Sequence, residues 1–71
     1  MKTGEKIRLW RMKLGMTQEQ FSLETALYQS QLSNYERCLI VPTRMVLRRI
    51  ADAIGIDPES LEGEDIERRT R

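Results

Sequence analysis

The residues of this chain that are best suited to chemistry lie in one run, LYQSQLSNYE at positions 27–36, which is rich in amides and hydroxyls and nearly free of charge. The side chains concerned are those of Tyr28, Gln29, Ser30, Gln31, Ser33 and Asn34. A helix face that only meets water usually carries Lys and Glu, whereas these groups donate and accept hydrogen bonds without charge. Such groups suit the reading of base edges in a DNA groove. The run therefore predicts a nucleic-acid reading surface, with an ordinary solvated helix face as the alternative.

Catalytic and metal-binding groups are scarce by comparison. The sequence contains no His and a single Cys38, so neither a disulfide framework nor a zinc site of Cys and His ligands can be drawn. It has no Gly-rich phosphate loop, and 71 residues leave no room for a buried pair of acids. We therefore expect no enzyme activity, no metal, no cofactor and no small-molecule ligand. Cys38 is expected to be an inert thiol, with a redox switch as the alternative.

The net charge of +1 is the sum of a basic region and an acidic region that lie apart in the sequence. Residues 1–16 hold five basic side chains against one acid, and residues 37–49 hold four Arg and no acid. Residues 50–67 hold seven acids and no base, so an acidic C-terminal end offsets a basic body. The basic part suits a polyanion, and we expect the acidic part, from Asp52 to Glu67, to face away from it.

The apolar residues indicate a single soluble domain rather than a membrane protein. An apolar stretch such as Leu39 to Val41 is far too short to span a bilayer, and the N-terminal MKTGEKIRLW lacks the apolar core of a signal peptide. We expect a cytoplasmic protein in a reducing compartment.

Helical periodicity and capping signals divide the chain into five short helices. The predicted helices cover residues 5–14, 17–24, 28–36 and about 43–55, followed by a brief helix that starts at Asp57 and Pro58. The apolar positions expected to face inward are Ile7, Trp10, Leu14, Phe21, Leu32, Tyr35, Val46, Leu47, Ile50, Ala51 and Ile54. No strand-type alternation is found, so the predicted class is all-α. We expect a folded domain over residues 1–62 and a charged tail or linker over residues 63–71.

Three segments, taken in order and at unbroken spacing, resemble the helix-turn-helix domain of phage repressors and Cro, known as the XRE family. They are MTQEQFS at 16–22, LYQSQLSNYER at 27–37 and VPTRMVLRRIADAIGIDPESL at 41–61. The resemblance covers residues 4–61 and implies a compact bundle of five short helices that binds double-stranded DNA as a symmetric homodimer. In this motif the second helix of the pair lies in the major groove while the first braces against the DNA backbone.

The expected reading residues follow from helical spacing together with this resemblance. Leu32 and Tyr35 must face the core because they lie one turn apart on the apolar side. The opposite face carries Gln29, Ser30, Ser33 and Asn34, and Tyr28 lies in the first turn. The resemblance places Gln29, Ser30 and Asn34 at the main base-reading positions. Since Gln and Asn side chains match the N6 and N7 edge of adenine, we expect adenine in the half-site.

Contacts with the DNA backbone are expected at both ends of the motif. The resemblance assigns phosphate contacts to Thr17 and Gln18 at the start of the second helix, where the helix dipole favours an anion; ordinary capping is the alternative. Arg37 and Arg44 flank the loop after the reading helix and are expected to anchor the backbone or the minor groove. Solvated side chains are the alternative for both.

Glu36 requires a different explanation. A carboxylate at the C-terminal end of a helix is disfavoured by the helix dipole, and DNA phosphates would repel it, so a cationic partner is expected. The matching pair in the family is an internal salt bridge, and the resemblance therefore pairs Glu36 with Arg11.

The chain departs from the family's pattern around the reading helix. Ala26 stands where the turn usually has Gly, Tyr28 where Ser or Thr commonly caps the helix, and Cys38 where Gly follows the Glu-Arg pair. A left-handed Ala26 would cost on the order of 1 kcal/mol.

The C-terminal apolar residues Ile56, Pro58 and Leu61 are the predicted dimer surface, with a closing lid on the bundle as an alternative compatible with it. The resemblance as a whole implies a sequence-specific transcriptional regulator, expected to be a repressor that reads a pseudo-palindrome with half-sites roughly 34 Å apart. The alternative is a protein-binding module, or the antitoxin of a toxin pair, that uses the same fold.

Overall fold

Five short helices make up the part of the chain that the computed structural model describes, residues 1–66. They are α1 (Thr3–Lys13), α2 (Gln18–Thr25), α3 (Gln29–Glu36), α4 (Arg44–Ile54) and a 3-10 helix (Pro58–Leu61). No strand occurs within these residues, which confirms the predicted all-α class. Residues 67–71, the end of the predicted tail, lie outside the described part.

Side-chain caps begin α2 and α4 at the predicted residues. The Thr17 hydroxyl accepts a hydrogen bond from the Gln20 N–H at 3.1 Å, and the Gln20 side-chain oxygen accepts one from the Thr17 N–H at 2.9 Å. The Thr43 hydroxyl accepts from the Val46 N–H at 3.2 Å in the same way. These caps satisfy N–H groups that the first turn of a helix leaves without partners, and they fix where each helix starts.

The core lies where α2, α3 and α4 meet beneath α1. Its buried apolar residues are Ile7, Phe21, Leu27, Leu32, Tyr35, Leu47, Ile50, Ala51 and Leu61. Trp10, Val46 and Ile54 are half-buried around it. Leu14 does not face inward as predicted and is 44% exposed. The reason is that α1 ends at Lys13, so Leu14 leaves the helical face just before the left-handed turn at Gly15.

Leu61 also differs from its predicted place. It is fully buried in the core, so it cannot contribute to a dimer surface, and it acts as the closing lid of the bundle. Ile56 and Pro58 stay half-buried beside it.

The folded body continues past the predicted boundary at residue 62. The Gly63 N–H donates to the Thr3 hydroxyl oxygen at 2.9 Å. Asp65 Oδ1 accepts from the Thr3 N–H at 2.9 Å and from the Thr3 hydroxyl at 2.6 Å, and so caps the start of α1. A Cβ at position 63 would lie 2.3 Å from the Thr3 nitrogen, so this close approach requires glycine. Residues 63–66 therefore lie against α1 instead of forming a tail.

Within residues 1–66, two residues with a Cβ adopt the left-handed conformation, one on either side of α3. Ala26 has φ 58° and ψ 37° at the end of α2, and Cys38 has φ 62° just after α3. Both stand where the family that the sequence resembles usually has Gly. The left-handed conformation costs each residue roughly 1–2 kcal/mol because Cβ approaches the following carbonyl oxygen.

Ala26→Gly is expected to raise the free energy of unfolding by about 0.5–1 kcal/mol, because the relief of strain exceeds the added entropy of the unfolded chain. Urea titration followed by circular dichroism measures the change. Gly55→Ala is the matched control, since Gly55 has φ +76° and open space around its missing Cβ. It should lower stability by about 1 kcal/mol through backbone strain alone. A loss of stability in Ala26→Gly would contradict the left-handed turn.

The Asp65 contacts predict a pH dependence of stability. Burial by itself raises the pKa of the Asp65 carboxyl, but hydrogen bonds from the Thr3 hydroxyl and N–H outweigh it and hold that pKa below its usual range. A carboxyl with a lowered pKa in the folded state stabilises the protein above its unfolded pKa of about 3.9, and this contribution is lost as the pH falls through the folded pKa.

Asp65→Asn should therefore cost about 1 kcal/mol at pH 7 and flatten the fall in stability below about pH 5. Urea midpoints measured across that range test this. Thr3→Ser keeps both donors and should follow the pH profile of the unchanged protein. Parallel profiles for Asp65→Asn and the unchanged protein would exclude the cap.

Candidate nucleic-acid interface

The α3 helix presents its amides outward over two buried anchors. Leu32 is fully buried and Tyr35 is 8% exposed, so both hold the inner face of the helix. The exposed members of the predicted reading set are Tyr28, Gln29 and Ser30, while Ser33 and Asn34 are half-buried. The exposed amide and hydroxyls are thus concentrated in the N-terminal half of α3, the part of a recognition helix that contacts base edges.

The turn that aims α3 has a defined geometry despite its unusual residues. Ala26 takes the left-handed conformation, and the Leu27 N–H donates to the Ser22 carbonyl at 3.0 Å. The buried Thr25 hydroxyl donates to the Phe21 carbonyl at 2.8 Å. These bonds join the turn to the last turn of α2, so the turn stays closed despite the strain at Ala26.

The start of α3 is capped from within the helix. Tyr28 has the extended backbone of an N-cap residue, and its N–H donates to the side-chain oxygen of Gln31 at 3.1 Å. The Tyr28 side chain does not cap and is 78% exposed. Gln31 thus satisfies the Tyr28 N–H, but Tyr28 does not supply the acceptor that a Ser or Thr hydroxyl would offer to the Gln31 N–H. The exposed phenol remains available to a partner.

The Glu36 carboxylate joins three helices at a buried site. Arg11 of α1 donates from Nε to Oε2 at 2.7 Å and from Nη2 to Oε1 at 3.0 Å. Gln18 of α2 donates from Nε2 to Oε1 at 3.2 Å. The side chain of Glu36 is 2% exposed and that of Arg11 14%. A two-pronged arginine bond of this kind fixes orientation as well as distance.

This network gives Gln18 a partner that the sequence did not predict. Gln18 was assigned to DNA phosphate or to capping, yet its amide donates to Glu36. The sequence shows that α2 begins at Gln18 and that α3 ends at Glu36. It does not show that these two helix ends meet, which only the fold reveals. Arg11 also donates from Nη1 to the Met16 carbonyl at 2.8 Å and so holds the connection between α1 and α2.

A glycine lets α1 approach α3 closely enough for this pairing. A Cβ on Gly4 would lie 1.8 Å from the Tyr35 carbonyl oxygen, so no other residue fits there without a shift of the helices. Sequence reasoning did not single out Gly4, since a glycine in the first turn of a helix carries no local signal for a crossing.

The predicted backbone anchors lie at either end of the loop after α3. Arg37 is exposed at the C-cap of α3. The Arg44 side chain, at the start of α4, is 60% exposed, and its Nη1 lies 3.8 Å from Oε2 of Glu62, whose side chain is 8% exposed. The two side chains therefore form an ion pair at the start of α4. Thr17 is exposed and uses its hydroxyl as the cap of α2.

The loop between α3 and α4 is apolar and open to water. Leu39, Ile40 and Val41 are 62%, 51% and 47% exposed. The Leu39 and Ile40 N–H groups donate to the Asn34 carbonyl at 2.9 and 3.4 Å, which fixes the loop to the reading helix. The sequence identified this segment only as a loop. Three consecutive apolar residues outside any helix were the available signal.

Other kinds of site find little support in the described part of the chain. Within residues 1–66, no group of Cys and acidic side chains is placed to hold a metal ion. None of the helices in that range is long and apolar enough to cross a membrane.

Comparison with known protein families agrees with this geometry. A family model described as a helix-turn-helix domain matches residues 4–62. Comparisons with curated proteins and with solved structures give no significant match.

The Glu36 network predicts strong coupling between its members. Glu36→Leu or Arg11→Met alone should lower the free energy of unfolding by about 3 kcal/mol, because each leaves a buried charge without its partner. The double variant should recover at least half of the summed loss, and urea unfolding of all four proteins measures the coupling. Additive losses would show that the two side chains act independently.

Proposed function

Because the chain belongs to the helix-turn-helix family, of the phage repressor and Cro (XRE) type, we propose that it is a sequence-specific regulator of transcription that binds duplex DNA as a dimer and acts as a repressor in the cytoplasm. The observation that carries the proposal is the outward face of α3. Its exposed amide and hydroxyl groups lie on a helix whose other side is held by buried Leu32, Tyr35 and Glu36.

In the proposed complex α3 lies in the major groove and reads base edges from its N-terminal half. Gln29, Ser30 and Asn34 are the main readers, with Ser33 and Tyr28 beside them. The side-chain amide of Gln or Asn donates an N–H to adenine N7, and its oxygen accepts a hydrogen bond from the adenine N6 amino group. One such bidentate pair is worth roughly 1–3 kcal/mol of discrimination against a wrong base.

We assign contacts with the sugar–phosphate backbone to the ends of the motif. Thr17 and Gln18 lie at the N-terminus of α2, where the helix dipole favours phosphate. Gln18 donates to Glu36, so α2 and α3 approach DNA as one unit tied to α1. Arg37 and Arg44 supply positive charge on the other side of the loop. The Arg44 side chain is 60% exposed beside Glu62, so a phosphate can approach it.

The dimer surface is assigned to Ile56 and Pro58, the half-buried residues that remain after Leu61 is placed in the core. A symmetric pair would place two α3 helices on half-sites about one helical turn apart, roughly 34 Å. Of the described acidic residues that follow α4, Glu62 lies beside Arg44. The others face away from DNA in this arrangement, since phosphate repels them.

The most direct test is the selection of bound duplexes from a random pool at two salt concentrations. A sequence-specific repressor domain should enrich a pseudo-palindrome with adenine in each half-site, and its affinity should fall steeply with salt as counterions are released. If no duplex is enriched and binding is insensitive to salt, the protein-binding or antitoxin role replaces this proposal.

Gln29→Ala should relax the base preference at one position of each half-site while leaving the other positions unchanged, at a cost of about 1–3 kcal/mol on the preferred sequence. Selection with the variant protein measures this. The matched control is Gln31→Ala on the same helix, where the side-chain oxygen caps the Tyr28 N–H. That control should lose stability and keep the preference. Equal weakening on all sequences by Gln29→Ala would contradict direct reading.

A further inference from the structure

A groove between the end of α2 and the outer face of α4 has no role in the proposed DNA complex. It has a volume of about 760 Å³ and includes part of the turn that precedes α3. The residues that line it are Glu24, Thr25, Ala26, Met45, Arg48, Arg49, Asp52 and Ala53. Three of these, Thr25, Ala26 and Ala53, have small side chains, which leaves space between the two helices.

Met45 is the most exposed large apolar residue among residues 1–66, with 81% of its surface open to water. Met45, Arg49 and Asp52 follow one another at spacings of four and three residues, so they lie along one face of α4. Leu47 and Ile50 are buried on the opposite face. A stripe with this spacing is the kind along which two helices pack, and an exposed Met fits readily against an irregular surface.

The charged side chains of the groove have both signs. Arg48 and Arg49 are basic, and Glu24 and Asp52 are acidic. Within residues 1–66 none of these four side chains forms an ion pair, although all four line one groove. A face that carries separate charges of both signs can be complementary to itself, because in a twofold pair residue i of one copy meets residue j of the other, and j meets i.

A second copy of the chain fits these charges better than a partner with charges of one sign. The carboxylates of Glu24 and Asp52 would repel a polyanion such as DNA, and Arg48 and Arg49 would repel a strongly basic partner. A copy of the same surface brings two acids to meet the two Arg and a second Met45 to pack beside the first.

We propose that the groove between α2 and α4 is a contact between two copies of this chain. In the pair the two α4 helices lie antiparallel across a twofold axis, so that Arg49 of each copy faces Asp52 of the other. Glu24 adds a second acid on the α2 side, and Met45 of each copy is covered by the other. The contact is small and belongs to the weak class of interfaces, which bury less than about 1,200 Å².

This contact is separate from the dimer surface assigned to Ile56 and Pro58. Pro58 lies beside α4 in a different pocket, with Arg44 and Leu47, and Arg48 lies between the two sites and lines both. Dimers formed through one surface can therefore join through the other into tetramers. A tetramer would occupy two neighbouring operators cooperatively, a consequence that rests on the proposed function, whereas the contact itself does not.

The experiment measures self-association by sedimentation equilibrium without DNA, at protein concentrations up to about 1 mM because so small a contact is weak. It compares the unchanged protein with Arg49→Glu, with Asp52→Arg and with an equimolar mixture of these two variants. Met45→Gln tests the apolar part of the contact. Its matched control is Leu23→Gln, since Leu23 is 78% exposed on α2 but does not line the groove. Urea unfolding confirms that each variant is folded.

Each single reversal should weaken the association by about tenfold or more, because the twofold axis brings like charges together at two positions. The mixture should regain the association of the unchanged protein. In a mixed pair the two reversed side chains face each other, and so do the two unreversed ones, which restores opposite charges at both positions. Met45→Gln should weaken the association by about fivefold, and Leu23→Gln should match the unchanged protein.

Single reversals that associate like the unchanged protein would overturn the inference, as would a mixture that associates no better than its two components. Equal effects of Met45→Gln and Leu23→Gln would also contradict it. In these cases the groove would be left to a partner of another sequence. Since none of the measurements uses DNA, a failure to bind any duplex would remove the proposed function without changing the result for this contact.

Discussion

The Glu36 carboxylate is a part of α3 that is bonded to the two helices preceding it. Arg11 of α1 and Gln18 of α2 both donate to it, at 2.7–3.2 Å, in a site almost closed to water. Taking a carboxylate and a guanidinium out of water is costly, and only short, well-oriented bonds offset that cost. The pair therefore favours one arrangement of the three helices over neighbouring arrangements. The direction in which the outer face of α3 points follows from this arrangement.

Contacts of α1 and of the core also stabilise this arrangement of the helices. Gly4 allows α1 to touch the Tyr35 carbonyl, and Leu32 fills the core beneath the middle of α3. Asp65 caps the start of α1 from a position 62 residues further along the chain. A domain of this size has few buried residues. Polar contacts between distant segments therefore help to fix the arrangement of the helices, which packing alone can fix in a larger core.

Capping patterns and helical periodicity predicted much of the fold, because both relate residues only a few positions apart. Thr17 with Gln20 and Thr43 with Val46 are pairs of this kind, and both caps are present in the structure. The all-α class follows from the same periodicity. The errors at Leu14 and Leu61 have a common cause, since the exposure of an apolar residue at the end of a helix depends on the direction in which the chain leaves it.

Contacts between residues far apart in sequence escaped prediction. The Thr3 and Asp65 bonds join positions 62 residues apart, and the Gln18 bond to Glu36 joins positions 18 apart. Neither has a spacing that a helix or a turn would generate. For the interface, helical spacing indicated the outward face of α3, and the resemblance indicated which of its residues read bases. The exposure of Leu39, Ile40 and Val41 between α3 and α4 was visible only in three dimensions.

The left-handed Ala26 and Cys38 have a consequence for how this protein can change. A single nucleotide substitution converts an Ala codon or a Cys codon into a Gly codon, and Gly would relieve strain at either position. Stability could therefore be gained at either end of α3. Most new mutations destabilise, and a protein near its threshold of stability rejects many that would alter function. A lineage that first acquires glycine at one of these two sites could then accept destabilising changes on the outer face of α3 that the present sequence would not survive.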